Sequence, residues 1–174
     1  MARFLIISDT HDNLMAIDDL IRCLQARGYT YDSVVHLGDI ISPFTLRKLI
    51  NELKTPMIAI FGNNDGDKSL LRSILPDIAD PPVSIELGGR RALLLHGFKS
   101  PEMTELFVES IANSGAFDII LYGHTHIARI LRISGTLVVN PGTVSGYVSG
   151  KRTFAILDIE KMNAEIVDID RCLT

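Results

Sequence analysis

The sequence is short of three things: cysteine, clustered basic charge and long apolar runs. Its 174 residues include two cysteines, Cys23 and Cys172. Two are too few for a disulfide framework, and they are too far apart for a C-x-x-C metal pair. They read as free thiols in a reducing compartment. The 17 Lys and Arg are scattered among 21 Asp and Glu, for a formal net charge of -4. No basic stripe is offered to a nucleic-acid backbone. The short runs "GRR" at 89–91 and "GKR" at 150–152 read as hairpin tips. No apolar run approaches the roughly 20 residues of a membrane helix. The opening Met-Ala-Arg-Phe-Leu-Ile-Ile-Ser, ended by Asp9, is too short an apolar core for a signal peptide. The expectation is a soluble cytoplasmic protein with no membrane segment. No linker, repeat or low-complexity tract breaks the chain, so residues 1–174 read as one domain.

Hydrophobic residues at 47% and charged residues at 22% are ordinary for a globular protein and exclude disorder. Short β-branched runs alternate with helical patterns in the first half. Strands are expected at 3–8, 34–37 and 56–61. A helix is expected over 13–26, with Leu14, Ile17, Ile21 and Leu24 on one stripe and Asp12 or Asn13 as N-cap. Pro43 opens a second helix whose apolar face is Phe44, Leu46, Leu49, Ile50 and Leu53. This repetition predicts parallel βαβ units with right-handed crossovers. Later, 83–87 and 91–95 flank Gly88-Gly89 as a hairpin. A helix at 102–112 and a buried strand at 117–122 follow. Strands then dominate, at 127–133, 136–139, 152–159 and 164–169. The pattern suggests two packed sheets with helices outside, parallel in order early and antiparallel late.

Each early strand runs into polar residues beside glycine. The first runs into Ser8-Asp9-Thr10-His11-Asp12-Asn13, the second into Gly38-Asp39, the third into Gly62-Asn63-Asn64-Asp65. The hairpin delivers His96-Gly97, and 118–122 delivers Gly123-His124-Thr125-His126. Taken alone, each piece has an ordinary explanation. "FGNNDGD" at 61–67 can be a tight turn, Asp39 a helix cap, His96 a satisfied core histidine. Together they do not: four of the chain's five histidines stand at strand ends, where ligands bind in α/β sheets. The fifth, His36, lies inside a strand and is assigned to packing or to a hydrogen bond behind the site. Carboxylate, imidazole and amide oxygen, with no thiolate, suit Mn, Fe, Co, Ni or Zn. Seven candidate ligands exceed one metal's needs, and Asp39 is the natural bridge between two.

The series D9-x-H11, G38-D39, G62-N63, H96-G97 and G123-H124-T125-H126 resembles the calcineurin-like metallophosphoesterases. "NPGT" at 140–143 is similar to a late loop of the family's small prokaryotic phosphodiesterases. The resemblance implies an α/β fold, a four-layer αββα sandwich of two mixed sheets flanked by helices. It implies two divalent ions, manganese or nickel favoured. One would be held by Asp9, His11, Asp39 and His126, the other by Asp39, Asn63, His96 and His124. Its implied activity is phosphodiester hydrolysis by a hydroxide bridging the metals. Small-molecule phosphodiesters are the implied substrates, and self-association as a homo-oligomer is left open. The family's usual G-N-H-[DE] is broken by Asn64, which can donate a hydrogen bond to phosphate but cannot deliver a proton. Activity is therefore expected to favour good leaving groups, with Asn64 contacting substrate and Asp65 orienting the loop or a ligand. Asn140 is a weak candidate for a donor behind a ligand histidine, and Gly142 and Gly146 for close backbone approach to the site. Competing readings are a phosphomonoesterase, a nuclease, or a non-catalytic interaction scaffold of the same fold.

Overall fold

The computed structural model describes residues 2–174. The first sheet has the order β10-β9-β1-β2-β3 and the second β4-β5-β6-β8-β7. In the first, β1 (Arg3–Ile7), β2 (Ser33–His36) and β3 (Met57–Ala59) are parallel. There β9 (Thr153–Asp158) and β10 (Asn163–Asp168) are antiparallel additions. In the second, β5 (Arg90–Leu95), β6 (Ile119–Tyr122) and β8 (Thr136–Asn140) are parallel. Its edges are antiparallel, β4 (Val83–Leu87) and β7 (Arg129–Ile133). The expected division into a parallel first half and an antiparallel second half is therefore corrected. Both sheets contain parallel strands, β1-β2-β3 on one side of the first and β5-β6-β8 at the centre of the second, where the helix over 101–113 makes the crossover between β5 and β6.

Both faces of these parallel strands are covered, so they read as continuous apolar runs. Phe4 and Ile6 of β1 join Val35, Ala92, Leu94, Ile119, Leu121 and Val139 between the sheets. Leu5 and Ile7 point the other way, onto α1 (Leu14–Arg27) and its neighbours. Next to them lie α2 (Pro43–Leu53) and the short α3 (Lys68–Ile74), which the sequence pattern did not disclose. On the far side of the second sheet, α4 (Pro101–Asn113) covers Leu93, Ile120, Tyr122 and Val138. The expected helix–sheet–sheet–helix layering holds. Asn13 is the N-cap of α1, accepting from the Ala16 amide at 3.1 Å. Asp12 instead ties the start of α2, accepting from the Ser42 amide and from the Ser42 and Thr45 hydroxyls.

Two expectations fail. Cys23 and Cys172 are joined in a disulfide. Cys23 lies on the buried face of α1, and the terminal turn α5 (Ile169–Cys172) packs against that face, with Cα atoms 5.6 Å apart. The 149 residues between them hid the pairing, and the free-thiol premise for a reducing compartment falls. "GKR" is not a hairpin tip. It lies in the loop entering β9, where Arg152 pairs with Asp19 and Asp170. "GRR" does sit at the turn between β4 and β5. No helix among the described residues is long and apolar enough to cross a membrane.

A cross-link closing a loop this long stabilises by up to about 5 kcal/mol through the unfolded chain's entropy. Cys23→Ser is expected to lower the urea midpoint, and reductant should lower that of the wild type to a similar value. Denaturation of both proteins with and without reductant checks this.

Candidate metal centre

The parallel strands of the two sheets end on one side, and all seven candidate ligands leave from there. Asp9 and His11 follow β1, Asp39 follows β2, Asn63 follows β3, His96 follows β5, and His124 and His126 follow β6. Five of them have left-handed backbone: Asp9 (φ 55°), His11 (44°), Asp39 (57°), His124 (71°) and His126 (59°). Such a conformation is uncommon outside glycine, and each instance costs about 1–3 kcal/mol. It turns the chain sharply, so that side chains leaving separate strands face one point. Main-chain hydrogen bonds hold the turns, from the Asp9 amide to Gly38 (3.0 Å) and from the His11 amide to Asp39 (3.1 Å). The Val144 and Ser145 amides donate to the Ser8 and Asp9 carbonyls, and the Thr143 hydroxyl also donates to Asp9.

The donor atoms converge. Asp39 Oδ2 lies 3.4 Å from His11 Nε2 and 3.3 Å from His96 Nε2. Asp9 Oδ1 lies 3.4 Å from His126 Nε2 and 3.7 Å from His11 Nε2. Asn63 Oδ1 meets His96 Nε2 at 3.0 Å and His124 Nδ1 at 2.9 Å. Two groups of three, Asp9 with His11 and His126, and Asp9 with Asp39 and His96, bring their ligand atoms within 4.8 Å of one another. Asp9 thus joins both groups, while Asp39 touches a histidine of each. Asp9 Oδ1, His11 Nε2 and His126 Nδ1 are buried without hydrogen-bond partners. Such orphans are costly in a protein interior. A hard-to-borderline divalent cation satisfies the first two, so the residues fit the group that their types suggest.

The backbone leaves no room for larger residues here. A Cβ on Gly38 (φ 98°) would come within 2.5 Å of His96 Nδ1, and one on Gly62 within 2.1 Å of Asp39 Oδ1. Asp65 is buried and accepts from the amides of Gly62 (2.7 Å), Asp39 (3.0 Å) and Ile41 (2.7 Å). These bonds tie the turn after β3 to the turn after β2. Asn64 faces Asp39: its amide donates to Oδ1 and its side-chain amide to Oδ2, both at 2.8 Å. His36 is fully buried behind the site, with Nε2 3.1 Å from the Thr10 hydroxyl and Nδ1 accepting from Gly38. Asn140 braces the backbone of the His124 turn, donating to the Gly123 carbonyl and the Thr125 hydroxyl. No histidine ring receives that amide, so the histidine-donor expectation is corrected. Gly142 packs against Thr153 at the start of β9. The sequence reading passed over Ser8, Thr10 and Thr143, although the first two stand in the "SDTHD" string itself.

Charge follows geometry. Burial pushes the Asp9 carboxyl up, but the His11, His96 and His126 imidazoles around it outweigh burial and hold it below the usual range. Asp39, also opposed by burial, is held well below that range by His96 and by Asn64. Asp9 raises His11. His96 rises too, because Asp39 and Asp9 overcome its burial. Burial lowers His126, and lowers His36 to about 4. Burial raises Asp65.

These directions fix the pH profile of the metal-free protein. Groups with depressed folded-state pKa (Asp9, Asp39, His36, His126) lose their contribution as pH falls, the histidines below about 6.5 and the carboxylates below about 4. His11 and His96, raised on folding, lose theirs as pH climbs above about 6.5. Asp65, also raised, loses its contribution as pH climbs above about 4, a smaller effect against the two depressed carboxylates. Metal-free stability is therefore expected to peak near pH 6.5. His36 alone supplies about 3 kcal/mol of the rise from pH 4. Urea melts in chelator from pH 4 to 9 check the maximum, and His36→Gln should flatten the acid limb.

The comparisons bear on this arrangement. Residues 2–162 match a profile described as a calcineurin-like phosphoesterase superfamily domain. A phosphodiesterase of Methanocaldococcus jannaschii is 35% identical over 161 residues, covering 90% of this chain and 92% of its relative. A phosphodiesterase of Escherichia coli is 26% identical over 158 residues, covering 83% of this chain and 80% of that one. Among solved structures, an archaeal phosphodiesterase superposes with a TM-score of 0.80 at 32% identity, covering 95% of this chain and 99% of that one. Vacuolar protein sorting 29 from Cryptosporidium parvum shares the fold, with a TM-score of 0.62 at 20% identity, covering 96% and 97%.

Proposed function

The chain belongs to the calcineurin-like phosphoesterase superfamily, and from that footing we propose that it is a dinuclear metal-dependent phosphodiesterase. The observation that carries the reading is the convergence of Asp9, His11, Asp39, Asn63, His96, His124 and His126 on one sheet edge. Two divalent ions held there would supply Lewis-acid polarisation of the phosphoryl oxygens and a water activated at neutral pH. Asp9, His11, Asp39 and His126 would hold one ion, and Asp39, Asn63, His96 and His124 the other. Mn or Ni is the favoured occupant.

The chain's own residues prepare the site. Asn64 fixes both oxygens of Asp39, so the carboxylate meets its cargo already oriented. Asp65 holds the amides of the same two loops and keeps Asn63 and Asp39 in register. Neither Asn64 nor any histidine outside the ligand set is placed to protonate a departing alkoxide. This supports a preference for good leaving groups, such as aryl esters. A pure interaction scaffold would leave the orphaned, converging donors without purpose.

The metal-stripped protein, reloaded singly with Mn, Ni, Co or Zn, is expected to hydrolyse p-nitrophenyl phosphodiesters in preference to monoesters. Asp39→Asn should lower the rate more than ~10²-fold. A rate near wild type in that variant would overturn the assigned bridge. Asn64→His has two separable effects. Loosening Asp39 should slow every substrate alike, whereas a new proton donor should help only alkyl leaving groups. The ratio of alkyl-ester to p-nitrophenyl-ester turnover is therefore expected to rise, by up to ~10²-fold for effective general acid catalysis. An unchanged ratio would refute the missing-acid reading.

A further inference from the structure

Between α4 and the outer face of the second sheet lies a cavity of ≈ 670 Å³. Its walls are apolar: Leu93 and Leu95 from β5, Val108 and Ile111 from α4, with Phe98 and Phe107 at the mouth. The two phenyl rings stack with centroids 4.7 Å apart and planes 27° apart, and both are half exposed. The cavity borders the metal centre at the end of β5. His96 and Gly97 belong to its wall, and Gly97 abuts His124 so closely that a Cβ there would lie 2.3 Å from the ring. His96 is thus shared by the ligand cluster and the cavity wall, and Gly97 is the wall residue that packs on His124.

The walls have no free hydrogen-bonding side chains. Thr104 Oγ1 donates to the Ser100 carbonyl and accepts from the Phe98 amide. Ser114 Oγ donates to the Ile111 carbonyl and accepts from the Ala116 amide. His96 Nδ1 is engaged with the Leu37 carbonyl at 2.6 Å, and Nε2 faces Asp39 and Asn63. A sugar placed here would bury hydroxyls without partners, a loss of about 1–3 kcal/mol each. An aromatic ring would gain from area and from ring–ring contact with Phe107. The volume is within the usual range for small-molecule sites, about 300–1,000 Å³. Lys99, whose ammonium stands 5.9 Å from the centre of the Phe98 ring, adds positive charge at the mouth for an anionic diester.

Resting on the phosphodiesterase reading, we infer that this cavity is the subsite for an apolar, aromatic ester group of the substrate. The substrate class is then an aryl-substituted phosphodiester, not a nucleotide whose sugar enters this space. Calorimetric titration of the Mn-loaded protein with diphenyl phosphate, dimethyl phosphate and methyl ribose 5-phosphate tests it by binding alone. Diphenyl phosphate is expected to bind at least ~10-fold more tightly than either of the others. Phe107→Ala removes the ring at the mouth, and Ala116→Trp fills the space. Each should erase most of that preference while dimethyl phosphate affinity stays unchanged. Equal affinities in the wild type, or an undiminished preference in both variants, would overturn the subsite. A protein that keeps the binding preference yet hydrolyses no phosphodiester with any of the metals would overturn the activity and uphold the subsite.

Discussion

The site depends on how Asp39 is held. Its carboxylate accepts two hydrogen bonds from Asn64, its amide donates to Asp65, and its carbonyl accepts from the His11 amide and the Thr10 hydroxyl. One residue at the end of β2 thus fixes the loops after β1 and β3. Its left-handed backbone is tolerable because Gly38 and Gly62 leave space on either side. A buried carboxylate beside two imidazoles keeps its charge at neutral pH, as holding a cation requires. Without this clamp, the five left-handed residues in the turns after β1, β2 and β6 would have little reason to persist.

Much of this was legible from strand ends. Short apolar runs followed by glycine and a ligand-type residue located the donor groups, because parallel strands covered on both faces leave few polar positions. His36 was also readable, since a histidine flanked by Val35 and Leu37 has to be paired inside the core. Other features were not legible for physical reasons. The Cys23–Cys172 bond joins residues whose proximity exists only after β9 and β10 fold back onto β1. Helix α3 is only seven residues long and leaves one buried side chain, Leu71, too little for a periodic signal. The inward turn of Asn64 depends on a main-chain conformation that no residue type declares.

The two asparagines at 63 and 64 divide labour that composition could not separate. Asn63 turns its amide oxygen to two imidazoles, and Asn64 turns its amide nitrogen to a carboxylate. Each uses the half of the amide that complements its neighbour, an oxygen toward ring nitrogens and an N–H toward a carboxylate. Aspartate at 64 would repel Asp39, and a lysine at 63 would repel a cation. The adjacent "NN" is therefore one acceptor and one donor in series, set by a turn whose carboxylate anchor is Asp65.

The disulfide between α1 and α5 gives the backbone a different topology from that of an open chain. The segment from Cys23 to Cys172 is a covalent ring that contains every strand except β1. A protease that nicks one exposed loop within it, such as the 147–151 stretch, produces no diffusible fragment. The severed ends stay tethered through sulfur, so the piece bearing β9 and β10 remains part of the molecule that carries Asp39, Asn63, His96, His124 and His126. Damage that would divide an open chain becomes, while the bond lasts, a change of connectivity alone.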